Sequence, residues 1–391
     1  MYLKHLSLEN FRLITRLDMN MPRRLLLFVG GNAQGKTTIL EAIYYLATFT
    51  NALSAADRQC INLLTAEQNP AVTRIQAQFE KDGKDHDIEV RLIMETVNGN
   101  TPRFRKEILM DGVKTKAHKA VGFFNAVIYL PQMARLLEGG PDERRRYLNF
   151  ALTQSDAHYA THLSRYSKTL KQRNALLKRL QESGGNHTQL VYWDQLLVKH
   201  GSYLLQARFQ AVKEIEKIAI QVHQKLTHGA ETIQLKYQPA LSDLNDEKVA
   251  SLFAQEADSF QHDYQLLLEQ KRVREIQRGM CLYGPHRDEL LLFANGLDLS
   301  KYGSRGQIRT AILTLKLSEM LWLKQKTGSW PVLLLDEIYA ELDAQRRDDL
   351  ANYLLETDQT IITTTDTAQF SEEFLSATKI CEVSQGVVKS R

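Results

Sequence analysis

The spacing of apolar residues divides the chain into a strand-rich beginning, a helical middle and a mixed end. Alternating apolar and polar residues over 2–8 predict a strand, and a short apolar run at 25–29 predicts a second one. Further alternation over 71–93 and 107–113 is separated by Asp-Gly turns and by the Asn-Gly-Asn segment at 98–100, as in β-hairpins. The first third of the chain is therefore predicted to be largely β-structure.

Two long amphipathic helices are predicted in the middle of the chain. Apolar residues recur at three- and four-residue spacing over 159–180, interrupted at Arg173, and again over 190–226, a helix of roughly 55 Å. A glycine-containing break at 183–186 separates the two runs. Both an antiparallel coiled-coil hairpin and a packed helical bundle fit this pattern. The other predicted elements are helices at 38–47, 258–278 and 308–324 and strands at 126–130, 233–237, 280–283, 332–335 and 360–364.

A glycine-rich segment follows the apolar run at 25–29 and precedes a helix. It reads G-x-x-x-x-G-K-T, a phosphate loop in the strand–turn–helix setting that the motif requires. The glycines let backbone N–H groups surround an anion at the positive end of the helix. Lys36 is expected to reach the β- and γ-phosphates of ATP, and the Thr37 hydroxyl to ligate Mg²⁺. The predicted nucleotide-binding residues here are Gly30, Gly31, Asn32, Ala33, Gln34, Gly35, Lys36, Thr37 and Thr38.

An apolar run at 332–335 ends in two carboxylates, Asp336 and Glu337. Such a run fits a central strand of a parallel sheet, whose carboxyl end is where ligands bind. We expect Asp336 to hold Mg²⁺ and Glu337 to act as the general base that activates the attacking water. The pattern alone is weak, but together with the phosphate loop it predicts a nucleoside triphosphatase.

Two further segments resemble the signature and the D-loop of ABC-type ATPases. Ser304, Gly306 and Gln307 form a Ser-x-Gly-Gln segment at the start of a helix, and Asp343 closes an Ala-Glu-Leu-Asp segment after Glu337. In that class the signature of one subunit caps the ATP held by the other. Because one chain carries one copy of each motif, two complete sites require a homodimer with two ATP molecules at its interface. A simple N-capped helix is the alternative for Ser304.

Gln132 lies just after the strand predicted at 126–130, where the ABC class has its Q-loop glutamine. We expect it to contact Mg²⁺ and to act in catalysis beside Lys36 and Glu337. The switch histidine usual after the last core strand is replaced here by Thr365 and Asp366. Either could contact the γ-phosphate instead, and slow hydrolysis is expected.

Composition sets limits on the class of protein. The chain has 391 residues, 43% of them hydrophobic and 25% charged, which predicts a globular protein with more than one domain. No apolar run approaches the roughly 20 residues that span a bilayer, and the N-terminus does not have the apolar stretch of a signal peptide. The three dispersed cysteines do not form a disulfide framework or a zinc site, so a cytoplasmic location without membrane contact is expected.

Positive charge is concentrated at the start of the helical middle. Residues 143–183 contain nine Lys and Arg against three Asp and Glu, while the whole chain carries only +4. This segment is a candidate polyanion-binding surface, and a solvated helix face is the alternative. The consecutive arginines at 144–146 spread around their helix, so they cannot all face one ligand and could instead stabilise the start of the insertion. The residues chosen as candidate DNA contacts are Arg144, Arg145, Arg165, Lys168, Lys171 and Arg173.

Several blocks together resemble the RecF family, which is related to SMC proteins. Two of them, Gly-Gly-Pro-Asp-Glu-Arg-Arg-Arg-Tyr-Leu at 139–148 and Gly-Pro-His-Arg-Asp at 284–288, are specific to RecF rather than to ABC proteins in general. The resemblance covers nearly the whole chain, and its other blocks lie at 8–12, 32–37, 172–178, 304–310, 335–337 and 341–343.

The resemblance implies a weak ATPase of recombinational repair and replication restart. ATP would close a dimer on DNA near single-strand gaps, hydrolysis would release it, and RecO and RecR would help it to load RecA. Arg12 would lie near the nucleotide, and the basic helices near DNA phosphates. Family members commonly carry more arginines after the phosphate-loop helix, whereas this chain has Phe-Thr-Asn-Ala-Leu-Ser-Ala-Ala-Asp-Arg at 49–58. That difference puts a DNA contact by this loop in doubt.

The expected fold is α/β, an ABC-type P-loop ATPase core of mixed sheet and flanking helices with an inserted α-helical arm domain. The ATPase head is assigned to residues 1–140 and 280–391, and the insertion to 141–279. Two alternatives share the ATP motifs: an ABC transporter nucleotide-binding subunit and an SMC-like DNA tether. The insertion is far larger than that of a transporter subunit, and its helices are short for bridging DNA.

Overall fold

A computed structural model describes residues 1–52, 56–62, 65, 69–97, 101–241, 246–254 and 256–390. The chain forms two compact units. The head unit comprises Met1–Ala134, Gln221–Glu231 and Arg305–Arg391, and the helical unit comprises Arg135–Ile220 and Thr232–Ser304. The turn predicted at 98–100 and part of the 49–58 segment lie outside the described residues.

The described residues contain β-strands, α-helices and short 3₁₀ helices. The strands are β1 (Tyr2–Phe11), β2 (Ile14–Asn20), β3 (Arg24–Val29), β4 (Ala71–Lys81), β5 (Lys84–Val97), β6 (Thr101–Met110), β7 (Val113–Thr115), β8 (Ala126–Tyr129), β9 (Ile233–Gln238), β10 (Glu289–Ala294), β11 (Leu297–Asp298), β12 (Val332–Asp336), β13 (Gln359–Thr364), β14 (Lys379–Ser384) and β15 (Val387–Ser390). The α-helices are α1 (Lys36–Thr48), α2 (Ala117–Ala120), α3 (Arg135–Glu138), α4 (Pro141–Ser155), α5 (Ala157–Ser183), α6 (Leu190–Leu226), α7 (Asp246–Ala254), α8 (Ala257–Arg278), α9 (Leu299–Tyr302), α10 (Arg305–Thr327), α11 (Ile338–Glu341), α12 (Ala344–Glu356) and α13 (Glu372–Ser376). Short 3₁₀ helices span Asp57–Cys60, Pro131–Ala134 and His187–Gln189.

The core of the head unit is a sheet with the strand order β15-β14-β3-β13-β12-β8. All neighbours are parallel except β15, which pairs with β14 in antiparallel fashion. Every residue of β12 and β13 is buried, as expected for central strands covered on both faces. Parallel strands end at the same edge, so the segments that follow β3, β12, β13 and β8 are brought together there.

A second, antiparallel sheet in the head unit has the order β2-β1-β4-β5-β6-β7. In its strand β4 every second residue from Ala71 to Phe79 is buried, as expected for a strand that covers a core with one face. Helix α1 contacts strands of both sheets, and Ile39, Leu40 and other residues around its circumference are buried. The phosphate-loop helix is therefore a core element of the head unit.

The helical unit is a packed domain. Helices α4 and α8 both pack on α5, and a three-stranded sheet of the order β11-β10-β9 lies in the same unit. The buried Arg173 of α5 forms ion pairs with Asp194 of α6 and Glu275 of α8 at 2.7 Å each. Three helices therefore share one core, and of the two arrangements left open by the sequence the structure has the packed bundle.

The boundaries of the two units differ from those expected. Residues 135–140 and 280–304 belong to the helical unit, and residues 221–231, which include the end of α6 and the segment after it, belong to the head unit. Residues 280–304 belong to the helical unit because their strand β10 pairs with β9, for example Leu290 with Tyr237. The sequence analysis did not predict this pairing.

The strand predicted at 280–283 is wrong. The Cys281 amide donates to Asn174 Oδ1 at 2.8 Å, and the Leu282 amide donates to Glu275 Oε1 at 2.7 Å. Side chains of α5 and α8 satisfy these amides, so no neighbouring strand is needed. Within the described residues, no helix is both long enough and apolar enough to cross a membrane.

Candidate nucleotide-binding site

The phosphate loop connects β3 to α1 through a backbone that only small residues permit. Ala33 and Gly35 have positive φ angles of 61° and 104°. A Cβ at Gly30 would overlap the carbonyl oxygen of Val383, so only glycine fits there. The β14–β15 turn supports the loop, because the Gly386 amide donates to the Gln34 carbonyl at 2.9 Å. The loop residues 31–33 stay exposed, as ligand contact requires.

Lys36 is held by the loop that it closes. Its ammonium group donates to the carbonyl oxygens of Gly30 at 2.6 Å and Gly31 at 3.0 Å, and it lies 3.0 Å from a carboxylate oxygen of Glu337. The side chain is only 5% exposed. The lysine of the phosphate loop and the second carboxylate after β12 are thus in direct contact. Thr38, in the first turn of α1, is buried.

Asp336 lies between two hydroxyl groups. Thr37 Oγ1 donates to the carboxylate at 2.9 Å, and Thr363 Oγ1 donates to it at 2.7 Å. Burial raises the pKa of Asp336, the two hydroxyl bonds oppose that rise, and the charge of Glu337 adds to it. A buried carboxylate of this kind favours a nearby cation. Thr363 was not chosen from the sequence, where it was one of three consecutive threonines.

These groups fit Mg²⁺. The ion prefers oxygen ligands and is usually held by one or two carboxylates together with waters and substrate phosphates. Thr37 and Asp336 supply a hydroxyl and a carboxylate 2.9 Å apart at the edge of the sheet. Among the described residues no cluster of three or more His, Cys, Asp or Glu that could hold a metal occurs.

Glu337 adopts a left-handed backbone conformation, with φ 49°. Its amide donates to the Thr363 carbonyl at 3.2 Å, and its carboxylate accepts from the Thr365 amide at 3.2 Å. Thr365, considered above as a substitute for the switch histidine, therefore contacts Glu337. Asp366 accepts from the Ala368 amide at 3.0 Å. A non-glycine residue held at positive φ is uncommon and is frequent at functional sites.

Arg12 is paired with a residue that sequence analysis missed. It forms an ion pair with Glu41 of α1, a carboxylate whose side chain is 2% exposed. Burial raises the pKa of Glu41 to about 6, Arg12 opposes that rise, and the negative charge of Asp336 adds to it. A single acidic residue within the apolar run at 39–46 was the signal that could have revealed it. The electrostatic effect of Asp336 on Glu41 links this pair to the proposed Mg²⁺ ligand.

The signature segment and the D-loop are built around helix starts. Ser304 directly precedes α10, and Gly306 and Gln307 lie in the first turn of that helix. The Gln307 amide donates to Glu231 Oε1 at 3.0 Å. Asp343 is the N-cap of α12 and accepts from the Arg346 amide at 2.9 Å.

Gln132 is exposed in the 3₁₀ turn after β8. Because β8 runs parallel to β12, with Tyr129 opposite Leu335, Gln132 and Asp336 follow neighbouring strands at the same edge of the sheet. The Tyr129 hydroxyl donates to Glu341 of the D-loop segment at 2.7 Å. This contact, which the sequence analysis did not predict, ties the start of the Q-loop segment to the D-loop.

Two candidate DNA contacts are buried in the helical unit, so their assignment is corrected. Arg144 forms a two-bond ion pair with Glu289, at 2.7 and 2.9 Å. Arg173 has 0% exposure and is neutralised by Asp194 and Glu275. Neither guanidinium can reach a phosphate in this conformation, and both hold the fold of the unit together.

Arg145 is also engaged within the protein. One nitrogen donates to the Asp288 carbonyl and the other to Asp142, each at 2.6 Å, and the side chain is 14% exposed. It is therefore a structural contact rather than a free cation. The remaining three candidates, Arg165, Lys168 and Lys171, are exposed on α5.

The fold is that of the ABC-type P-loop ATPases, in the form found in SMC head domains. The Smc head domain from Pyrococcus furiosus is similar in fold, with a TM-score of 0.52 at 15% identity over 100% of this chain and 96% of that chain. The family model described as "RecF/RecN/SMC N terminal domain" matches residues 2–389. The chain belongs to the RecF family, as the resemblance predicted.

Relatives and solved structures support that membership over the full length. The DNA replication and repair protein RecF of Chloroflexus aurantiacus is 36% identical over 397 aligned residues, covering 99% of each chain. RecF of Halothermothrix orenii is 34% identical over 389 residues, covering 99% of this chain and 98% of that one. The recombination mediator protein RecF of the RecFOR pathway, solved with ATP, matches with a TM-score of 0.85 at 26% identity, over 100% of this chain and 97% of that chain.

Proposed function

We propose that this protein is an ATP-dependent clamp on DNA that acts in replication and recombinational repair. The observation that carries the proposal is the convergence of Lys36, Thr37, Asp336 and Glu337 at one edge of the core sheet. The sequence carries one phosphate-loop motif and one signature motif. A homodimer in which each signature caps the other subunit's ATP completes both sites.

Each residue of the site has its own role in ATP binding or hydrolysis. Lys36 exchanges its loop carbonyls for phosphate oxygens, and Arg12, Gln34 and the loop amides surround the nucleotide. Thr37 and Asp336 would hold Mg²⁺, with Gln132 nearby, and the ion would neutralise developing charge on the phosphates. Glu337 orients and deprotonates the attacking water. Ser304, Gly306, Gln307 and Asp343 act on the partner's nucleotide.

Slow hydrolysis then suits a clamp that must stay closed. Lys36 and Glu337 are 3.0 Å apart, so the proposed base is paired with a cation until phosphate draws the lysine away. Thr365, one of the two candidates to replace the usual switch histidine, bonds Glu337 through its amide. We propose that hydrolysis opens the dimer and releases DNA.

The DNA is bound through exposed cations, of which Arg165, Lys168 and Lys171 on α5 are the candidates that remain. Phosphate contacts of this kind give affinity without sequence preference. The solved relatives are described as recombination mediators of the RecFOR pathway. We propose the corresponding partners, RecO, RecR and RecA, and work in the cytoplasm on double-stranded DNA next to single-stranded regions.

The test is DNA retention and ATP turnover measured together. The wild type should retain a gapped duplex in ATP but not in ADP, and DNA should stimulate its turnover. Lys36→Ala should lose both ATP binding and DNA retention, whereas the matched control Lys84→Ala, an exposed lysine at the start of β5, should keep them. DNA retention that is equal in ATP, in ADP and without nucleotide would contradict the proposal.

A further inference from the structure

The Gly-Pro-His-Arg-Asp segment at 284–288, called here the 284–288 turn, lies in the helical unit and precedes β10. Its residues differ sharply in exposure. Gly284, Pro285 and Asp288 are buried and His286 is partly buried, whereas Arg287 is exposed. The Arg287 amide closes the turn by donating to the Gly284 carbonyl at 2.9 Å.

The first part of the turn is fixed by two tyrosines. Gly284 has a φ of 125°, and a Cβ there would overlap the hydroxyl groups of Tyr264 and Tyr166, so no other residue fits. His286 Nε2 donates to the Cys281 carbonyl at 3.2 Å, which leaves Nδ1 to accept from the Tyr166 hydroxyl at 2.6 Å. The backbone before Arg287 therefore has one well-defined position.

The second part of the turn is fixed by a buried charge network. Arg208 of α6 donates to the Pro285 carbonyl at 2.5 Å and also pairs with the Asp288 carboxylate. The Tyr237 hydroxyl of β9 donates to the same carboxylate at 2.5 Å. A buried ion pair adds little net stability but holds its surroundings in one geometry. Residues from α5, α6, α8 and β9 thus fix the main chain on both sides of Arg287.

The side chain of Arg287 stays exposed beside this buried network. The buried pairs Arg208 with Asp288 and Arg144 with Glu289 are neutral as units. The Arg287 guanidinium contacts the Met280 thioether at 3.1 Å, and a thioether is a weak acceptor without charge. Tyr166, which bonds His286, lies on α5, the same helix that carries the exposed Arg165.

We propose that Arg287 is a phosphate contact for double-stranded DNA and that the 284–288 turn is the rigid platform that presents it. A guanidinium forms bidentate bonds with phosphate oxygens, and a fixed backbone lowers the entropy lost when it binds. The site extends the α5 cations to a second element. It rests on the proposed function, since it requires that the protein bind DNA.

The experiment is the salt dependence of duplex binding by the full chain in ATP. Each phosphate contact contributes about 0.9 to the slope of log affinity against log salt concentration. Arg287→Ala should lower the slope by about one contact and weaken binding several-fold at low salt. Arg287→Lys should keep the slope, because the charge remains. Arg278→Ala, an exposed arginine at the end of α8 in the same unit, is the matched control and should keep both slope and affinity.

A variant of a residue that supports the turn tests the position of Arg287 separately from its charge. Tyr166→Phe removes the hydroxyl that bonds His286 and leaves every charge in place. It should weaken duplex binding while the salt slope stays at the wild-type value, because the arginine is less well placed but still charged. Thermal melting should show Arg287→Ala folded like the wild type, since the side chain is exposed.

Three results would overturn the inference. One is an Arg287→Ala variant with wild-type slope and affinity; another is an Arg278→Ala variant with the same loss as Arg287→Ala, which would reduce the effect to net charge. The third is weaker ATP binding by Arg287→Ala in the absence of DNA, which would show that Arg287 contacts a phosphate of the nucleotide and not of DNA. If the wild type itself fails to bind the duplex in ATP, the proposed function falls with it; if the wild type binds and Arg287→Ala changes nothing, only the platform is refuted.

Discussion

At the scale of single residues, the site depends on which charges are paired. Lys36 contacts Glu337, Asp336 accepts from two hydroxyls, and Arg12 pairs with Glu41. The last of these pairs lies on the phosphate-loop helix itself. A carboxylate that is 2% exposed is costly unless a cation compensates it, so Arg12 stabilises the helix that carries the loop.

Replacing Arg12 tests this role. Arg12→Ala should lower the free energy of unfolding by about 3 kcal/mol, because the Glu41 charge stays buried without its partner. The double variant Arg12→Ala with Glu41→Gln should recover part of that loss. Urea denaturation measures both, and Arg16→Ala, an exposed arginine of β2, is the matched control. A single variant as stable as the control would show that the ion pair does not hold α1.

At the scale of elements, helix α5 shows how much the sequence could tell. The spacing of its buried residues Tyr166, Thr169, Leu176, Leu177 and Leu180 was readable, and its bounds were predicted closely. The same spacing places Arg173 on the buried face, seven residues from Tyr166 and from Leu180. The local excess of positive charge nevertheless suggested Arg173 as a DNA contact. Its true partners, Asp194 and Glu275, lie on other helices, so spacing along α5 could not reveal them.

Two neighbouring residues of α5 should therefore behave in opposite ways. Arg173→Ala should lower the free energy of unfolding by about 3 kcal/mol or more, since Asp194 and Glu275 lose their shared cation. It should leave the salt slope of DNA binding unchanged. Lys171→Ala should do the reverse, keeping stability and lowering the slope by about 0.9. Denaturation and DNA-binding titrations of the two variants test this. If Arg173→Ala folds and its DNA binding has a lower salt slope than the wild type, Arg173 is a phosphate contact after all.

The strand predicted at 280–283 failed for a related physical reason. The apolar residues there suggested a strand, but the amides of Cys281 and Leu282 bond side chains of α5 and α8. Side-chain acceptors far away in sequence are invisible to a local pattern. The phosphate loop and β12 were predictable because a motif and an apolar run within a few residues determine them.

His286 in the 284–288 turn predicts a pH dependence of stability. Burial, together with the charges of Arg287 and Arg145, lowers the pKa of His286 from 6.5 to about 4. Between these values the unfolded chain binds a proton that the folded chain does not, so stability is complete above pH 6.5 and is lost as the pH falls towards 4. The contribution is up to about 3 kcal/mol.

The measurement is the free energy of unfolding at pH 7 and pH 4. The wild type should lose up to about 3 kcal/mol more than His286→Asn over this range, because the variant has no proton to take up there. His187→Asn, an exposed histidine between α5 and α6, is the control and should follow the wild type. Identical pH profiles for the wild type and His286→Asn would contradict the buried, neutral state of the imidazole.

At the scale of the whole molecule, the family and the ABC-type fold were predictable because their motifs lie in short blocks. The tertiary contacts that hold the site residues in place could not be predicted from the sequence. Val383 restricts Gly30, Gly386 holds Gln34, and Glu231 holds Gln307, each across a long stretch of sequence. Such contacts arise from the tertiary arrangement of strands and helices, which spacing along the chain does not determine.

We propose that ATP joins two copies of this chain. Each chain contributes one phosphate loop and one signature, so a blocked hydrolysis step should trap the closed state. Glu337→Gln removes the proposed base while leaving Lys36, Thr37 and Asp336 in place.

The most direct test is the mass of Glu337→Gln in solution, measured by light scattering with ATP and Mg²⁺ and again with ADP. We expect a particle of twice the chain's mass in ATP and a single chain in ADP. A variant that binds ATP tightly yet remains a single chain at every concentration measured would contradict it.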